Sequence, residues 1–271
     1  MEPLPLPLCP CLDALYPGAP AERVLPEIAA LGVRQVEFWD WRPRDLDALA
    51  QAVAASDLRV HAFSGNTFAE PLVDPAALGA TLAHLGRSVE VARRLGTRLL
   101  VVHVGYHLAH RSRAEQWSAA VGGLQAAGEL ATAAGVTLVV EPLNSRIDHP
   151  GYFLDTLPDA VRLLADVHHP AVRLLLDVYH MGVMHEDLVA RLPAVLPVTG
   201  HVHVADVPGR GEPGSGAIPW PAVLAALGTA GYRGPLGLEC WPTGTPEQAL
   251  ARSAAVLAVP ARRFARQSTV S

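Results

Sequence analysis

The segment that decides the fold runs from Thr97 to Glu141 and reads TRLLVVHVGYHLAHRSRAEQWSAAVGGLQAAGELATAAGVTLVVE. An apolar run, Thr97–His103, precedes an Ala- and Leu-rich stretch with helical spacing over 113–134. A second apolar run, Val136–Glu141, then follows. Continuous apolar runs of this kind are typical of parallel strands covered on both faces. The segment therefore predicts a strand–helix–strand unit of a parallel sheet.

The same unit recurs along the whole chain, with Gly, Pro or Asp between its parts and glycine closing several helices. The predicted strands are Pro5–Cys11, Val33–Phe38, Leu58–Phe63, Thr97–His103, Val136–Glu141, Val172–Asp177, Gly200–Ala205 and Pro235–Glu239. The predicted helices cover 21–31, 44–56, 75–95, 113–134, 157–167, 185–196, 219–230 and 245–264.

Eight units in one series, without a long Gly/Ser linker, favour an α/β fold of the (β/α)8 TIM-barrel type. We expect one domain over residues 1–271, with residues from about 265 to 271 as a candidate disordered tail. The alternative is an open sheet of seven strands, because the first predicted strand is rich in proline. No G-x-G-x-x-G motif follows a strand, which disfavours dinucleotide binding.

Composition excludes several classes of function. Half of the 271 residues are apolar, the net charge is −5, and Lys and Arg are scattered, so no basic surface for nucleic acid is expected. No apolar run reaches the roughly 18 residues of a membrane span, and the N-terminus lacks a basic signal region. The three cysteines form no disulfide or zinc pattern. We expect a cytoplasmic protein that acts on a small molecule.

Polar residues close the last four predicted strands: Glu141, Asp177, His203 and Glu239. Neighbouring strands of a barrel bring such residues to one mouth. Buried carboxylates cost several kcal/mol unless they meet a cation or enough hydrogen bonds, and no Lys or Arg near in sequence is placed to neutralise all three. We predict one divalent metal ion, Mn²⁺ or Co²⁺ rather than Mg²⁺ because of the histidine. Taken singly, each acid could instead cap a helix or pair with an arginine.

Further polar residues near these strand ends have weaker expectations. His103 closes the fourth strand, where it could line a substrate pocket or satisfy a hydrogen bond in the core. His201 shares a strand face with His203 but lies deeper, so we expect it to support or pack against a ligand rather than to be one. Glu37 and His61 are weaker pocket candidates.

The glycine-rich loop in GHVHVADVPGRGEPGSG, residues 200–216, contains a single arginine, Arg210. A guanidinium just past a catalytic strand suits an anionic substrate, since it can bind a carboxylate with two hydrogen bonds. The alternative is that Arg210 anchors the loop through Glu212. Glycines in this loop allow tight turns and closure over a substrate.

Four stretches of the chain resemble the hydroxypyruvate isomerases: VVEPLN, LLLDVYHM, GHVHVADVPGRGEPGSG and GPLGLECWP. These belong to the xylose isomerase-like barrel superfamily, which also holds ketose 3-epimerases, inosose-processing enzymes and endonuclease IV. The resemblance runs from about Val33 to Trp241. It implies that Glu141 and Glu239 bind the metal and exchange a proton, that Asp177 is a ligand and that His180 contacts the substrate. One departure is His203, where hydroxypyruvate isomerases often have glutamine and the epimerases have histidine.

Chemistry and resemblance together predict an aldose–ketose type isomerase of glyoxylate and carbohydrate metabolism. It would interconvert hydroxypyruvate and tartronate semialdehyde by proton transfer through an enediolate. The nearest alternative is a ketose 3-epimerase or an inosose isomerase or dehydratase on the same barrel. A metal-dependent DNA-repair nuclease is disfavoured by the charge, and a non-catalytic binding barrel is a third class. Such barrels often form homo-oligomers, but no sequence feature identifies an interface.

Overall fold

Strands and helices alternate along the computed structural model, which describes residues 6–184 and 187–258. The strands within these residues are β1 Leu8–Pro10, β2 Gln35–Phe38, β3 Arg59–Ser64, β4 Leu99–Val102, β5 Thr137–Val140, β6 Val172–Asp177, β7 Thr199–Val204 and β8 Leu236–Leu238. All paired neighbours are parallel, in the order β1-β8-β7-β6-β5-β4-β3-β2. A parallel bridge between Cys11 and Glu37 links the two outer strands, so the sheet forms a nearly closed barrel. The predicted (β/α)8 fold is confirmed, and the open seven-stranded alternative is wrong.

Helices separate the strands and cover the outside of the barrel. The helices found in the described residues are α1 Leu12–Leu15, α2 Ala21–Ala30, α3 Leu46–Ala55, α4 Leu78–Leu95, α5 Arg113–Ala134, α6 Leu157–Val167, α7 Val178–Val183, α8 Leu188–Val195, α9 Trp220–Thr229 and α10 Pro246–Leu257. Parts of the expected elements at residue 5, at 185–186 and at 259–264, and the expected tail at 265–271, lie outside the described residues.

Local sequence sets the ends of the long helices. Ser112 and Glu115 form a reciprocal capping box at the start of α5, and Gly135 ends that helix at a φ of +67°. Thr245 and Gln248 form a second capping box at α10. These signals explain why the predicted bounds of α5 agree with the observed ones.

Two short helices, α1 and α7, were not expected. α7 starts directly after β6, where the Asp177 carboxylate accepts a hydrogen bond from the backbone N–H of His180 at 3.0 Å. Six residues are too few to show a helical pattern of apolar side chains, so the sequence gives no signal for this turn.

Alternation along the strands places the polar site above an apolar floor. Val101, Val139 and Leu175 form a small apolar cluster that is separate from the main core beneath the helices. Because successive side chains point to opposite faces of a strand, the residues two positions further along share the interior face. These residues are His103, Glu141 and Asp177.

No helix in the described part of the chain has the length and hydropathy that crossing a membrane requires.

Candidate active site

The four predicted metal ligands meet at the carboxyl ends of β5 to β8. One potential ligand atom from each of Glu141, Asp177, His203 and Glu239 lies within 4.8 Å of the others, and all four residues are buried. His203 Nδ1 lies 2.9 Å from Glu239 Oε2 and 3.6 Å from Glu141 Oε1. The residues that the sequence grouped are therefore together in space. Their role as ligands stays a prediction.

Two buried atoms of this cluster indicate that a cation would fit between its side chains. Glu141 Oε1 and His203 Nδ1 are buried, and neither has a hydrogen-bond partner despite the short distances around them. Buried polar atoms without partners are costly, and in native proteins they usually face a ligand, an ion or water. Three carboxylates and one imidazole facing a common point form a donor set that a divalent ion would satisfy.

Burial and neighbouring charges shift the pKa values of the cluster residues in different directions. Burial raises the pKa of the Asp177 carboxyl, and its neighbours offset this only in part. Burial also opposes ionisation of Glu141, but His103 and His203 outweigh it and hold the pKa of that carboxyl well below its usual value. Burial disfavours a charged His203, yet the surrounding carboxylates outweigh burial and raise the pKa of its imidazole well above the usual value. The carboxylates thus favour positive charge at the centre of the cluster.

Arg210 lies against the acids rather than apart from them. Its Nη2 is 3.1 Å from Glu239 Oε2 and 3.9 Å from Asp177 Oδ2, and its guanidinium lies over the rings of Tyr179 and Trp241. We expected no Lys or Arg near in sequence to neutralise all three acids; Arg210 contacts two of them, because the loop after β7 folds back over the barrel mouth. One cation shared by two of three carboxylates still leaves the cluster rich in negative charge.

The alternative anchoring role for Arg210 is not what the structure shows. Glu212 accepts hydrogen bonds from the backbone N–H and the hydroxyl of Thr243, at 2.9 and 2.7 Å, and pairs with Arg252. Glu212 therefore fixes the loop to the segment after β8. Arg210 itself adopts a φ of +57°, and its side chain lines the cavity at the barrel mouth.

A buried carboxylate at the base of the same loop holds it in place. Asp206 Oδ1 accepts hydrogen bonds from the backbone N–H groups of Val207 and Ile218, at 3.0 and 2.9 Å. Its Oδ2 accepts from the N–H of Gly214 and from Trp220 Nε1, at 2.8 and 2.9 Å. Sequence reasoning missed this residue because an acid in a loop resembles any other solvated turn residue.

The two predicted substrate-contacting histidines also line the site. His180 Nδ1 accepts a hydrogen bond from the backbone N–H of Asn144 at 3.1 Å, so the ring proton of a neutral His180 is on Nε2, which faces Asp177 Oδ2 at 3.8 Å. His103 Nε2 lies 3.3 Å from Glu141 Oε2, and its ring packs against Phe68. Both positions suit the predicted roles, which stay predictions.

A cavity of about 410 Å³ opens above the cluster. Its rim includes Trp39, Phe68 and Trp241, which are 37%, 38% and 42% exposed. Trp39 Nε1 donates a hydrogen bond to Glu239 Oε1 at 2.6 Å. These aromatic residues were not predicted, because single aromatic side chains in loops follow no periodic pattern.

This site lies on a barrel of known family. The chain belongs to the xylose isomerase-like TIM barrel family, whose model matches residues 25–258. The predicted family resemblance is thereby confirmed.

Named relatives narrow the class. A putative hydroxypyruvate isomerase from Streptomyces coelicolor is 32% identical over 239 residues, which cover 80% of this chain and 84% of that protein. A human putative hydroxypyruvate isomerase is 42% identical over 126 residues, 46% of this chain, and the match spans only 45% of the human protein. An L-ribulose 3-epimerase from Mesorhizobium japonicum is 28% identical over 87% of this chain and 80% of its own length. These relatives agree with the predicted class, an isomerase of keto acids or sugars.

Among solved structures, an AP endonuclease of family 2 from Brucella melitensis superposes with a TM-score of 0.84 at 26% identity, over 92% of this chain and 98% of that one.

Proposed function

We propose that this protein is a divalent-metal-dependent isomerase that interconverts hydroxypyruvate and tartronate semialdehyde. The observation that carries the proposal is the convergence of four buried ligand-type side chains beneath a cavity with Arg210 at its wall. The names of the relatives support the enzyme class. Among the described residues that line the cavity, Arg210 is the only Lys or Arg, which suits one small anion better than a polyanionic nucleic acid.

Glu141, Asp177, His203 and Glu239 would hold the metal ion. When bound, the ion would polarise the substrate carbonyl as a Lewis acid and stabilise the charge that develops on its oxygen. Its positive charge would also balance the carboxylates of Asp177 and Glu239, which Arg210 contacts in this structure. The guanidinium would then be free to bind the substrate carboxylate.

The glutamates would move the proton. One carboxylate removes a proton from the hydroxymethyl carbon of hydroxypyruvate, and a proton is returned to the former carbonyl carbon. A hydroxyl proton passes between the two oxygens, so no oxidant or reductant is needed. Both glutamates face the imidazole of His203. Glu141 also faces the imidazole of His103, whereas Glu239 also faces Arg210 and the indole of Trp39. Different surroundings are what an acid and a base acting at one pH require.

A second candidate is a ketose 3-epimerase. Two observations favour it: an imidazole completes the ligand cluster, and the cavity of about 410 Å³ lies in the range of pockets for ligands larger than a three-carbon acid. The epimerase relative points the same way.

Deuterium incorporation from D2O separates these functions. Chelator-treated protein would be incubated with hydroxypyruvate, ketopentoses, ketohexoses or inososes, with and without Mn²⁺, and followed by NMR. We expect metal-dependent exchange at the hydroxymethyl carbon of hydroxypyruvate. Exchange in ketoses alone would identify an epimerase. Absence of exchange in every substrate, in protein shown to hold Mn²⁺, would contradict both functions and favour a binding role.

A further inference from the structure

A second polar layer lies beneath the metal-ligand cluster, inside the barrel. It consists of Glu37 from β2, His201 from β7 and His61 from β3. Glu37 is 3% exposed and His201 is fully buried. The proposed proton transfer does not use these residues, although a carboxylate this deep needs a reason to be there.

The two nitrogens of His203 face different partners. Nδ1 faces the ligand cluster, 2.9 Å from Glu239 Oε2, whereas Nε2 points down to Glu37 Oε1 at 3.3 Å. The other oxygen of Glu37 lies 3.0 Å from His201 Nε2, at hydrogen-bond distance. Glu37 therefore lies between two imidazoles. It is hydrogen-bonded to His201, whereas Glu37 Oε1 and His203 Nε2 face each other at 3.3 Å without a hydrogen bond and have no other partner.

The backbone of β8 makes room for this arrangement. Gly237 lies opposite His203 in the β7–β8 register. A Cβ atom at Gly237 would come within 2.4 Å of His203 Cδ2 and 2.5 Å of Glu37 Oε1. Any side chain at residue 237 would displace Glu37 and His203, so their contact requires glycine at this position.

We propose that Glu37 is a positioning residue that acts through His203, an inference that rests on the proposed metal site. A neutral imidazole has one N–H group. If Glu37 accepts the Nε2 proton, the Nδ1 lone pair is left free for a metal ion, and the carboxylate would hold the ring in the orientation that binding needs. A carboxylate behind a ligating histidine also increases the basicity of the ligand. His201 holds Glu37 in place from the other side.

The same three residues, Glu37, His201 and His203, also lie close enough together to hold an ion of their own. We favour positioning, because Glu37 Oε2 is already hydrogen-bonded to His201 and Oε1 lies 3.3 Å from His203 Nε2, so that a proton on this nitrogen would satisfy both unpartnered atoms. Binding of a second ion is therefore one of the outcomes that the experiment distinguishes.

Metal affinity in a double-mutant cycle tests the proposal. Chelator-treated protein would be titrated with Mn²⁺ by calorimetry. Glu37→Met removes the acceptor at similar size, and we expect Mn²⁺ to bind about 10–100-fold more weakly. Glu37→Gln keeps an acceptor oxygen and should restore part of the affinity. In a His203→Gln background, Glu37→Met should change affinity by at most about twofold, as for independent sites. Glu70→Gln changes a carboxylate outside the ligand cluster, which pairs with Arg42 and His84, and should bind as the wild type does.

Three results would overturn the inference. Glu37→Met could weaken binding equally in both backgrounds, Glu37→Gln could be no better than Glu37→Met, or the wild type could bind two ions and Glu37→Met one. A wild type that binds no Mn²⁺ would instead refute the metal site of the proposed function.

A measurement on the wild type covers the case in which Glu37→Met does not fold. In Zn²⁺-loaded protein, ring ¹⁵N shifts should show His203 protonated at Nε2 and metal-bound at Nδ1. The reverse assignment would also refute the role of Glu37.

Discussion

Replacement of Asp206 should lower the stability of the protein strongly, because this one carboxylate accepts four hydrogen bonds within the loop that carries Arg210. Asp206→Ala leaves the N–H groups of Val207, Gly214 and Ile218 and the indole N–H of Trp220 without their acceptor. Each unpaired buried donor costs about 1–3 kcal/mol, and water entering the space left by the side chain keeps the cost near the lower limit. We expect a loss of about 4 kcal/mol in the free energy of unfolding. For a chain of this size that lowers Tm by roughly 10 °C.

Thermal unfolding followed by circular dichroism, together with urea titration, measures this loss. Asp206→Asn should be nearly as unstable, because its amide NH2 would face donors that need an acceptor. Asp47→Asn provides the matched control, since its side chain is 82% exposed, and it should change stability by less than about 0.5 kcal/mol. Loosening of the loop should also raise KM more than it lowers kcat. A loss below about 1 kcal/mol in Asp206→Ala would refute the view that this carboxylate organises the loop.

Three further outcomes are expected. Glu141→Gln and Glu239→Gln should each lower kcat by at least about 10²-fold with unchanged circular dichroism spectra; near-normal turnover in either would remove it from proton transfer. Arg210→Ala should raise KM about 10–100-fold for hydroxypyruvate but much less for uncharged ketoses, and equal losses would contradict a carboxylate-binding role. Burial, and then the neighbouring His201, lower the pKa of His61 from 6.5 to about 4. Between these two pH values His61 is protonated in the unfolded chain but not in the folded one, so stability falls as pH drops from about 6.5 towards 4. Between pH 7 and pH 5 the wild type should lose about 2 kcal/mol more than His61→Gln in urea titrations; parallel losses would show that His61 is not the group responsible.

The barrel and the grouping of its strand-end residues could be predicted from the sequence for a simple reason. Both follow from periodicity. Apolar runs identify the strands, and because side chains alternate along a strand, Glu141 points to the same interior face as Val139 in the apolar cluster below the site. The positions of Glu141 and Asp177 then depend only on strand order, which the rule of sequential neighbours supplies.

Contacts made by loops could not be predicted in this way. Arg210 reaches Glu239 only because the loop after β7 folds back, and that path depends on Asp206 and on backbone turns that have no pattern in the sequence. Glu37 lies in β2, far along the chain from its partner His203, so only the closed barrel brings them together.

The requirement for glycine at position 237 has an evolutionary consequence. A bulkier residue at this place in β8 cannot coexist with an acid reaching His203 from β2, because both would need the same space. Positions 37 and 237 should therefore covary across homologous barrels, with glycine inherited wherever the glutamate is kept. Lineages that have filled position 237 would have had to find another way to orient the residue at 203.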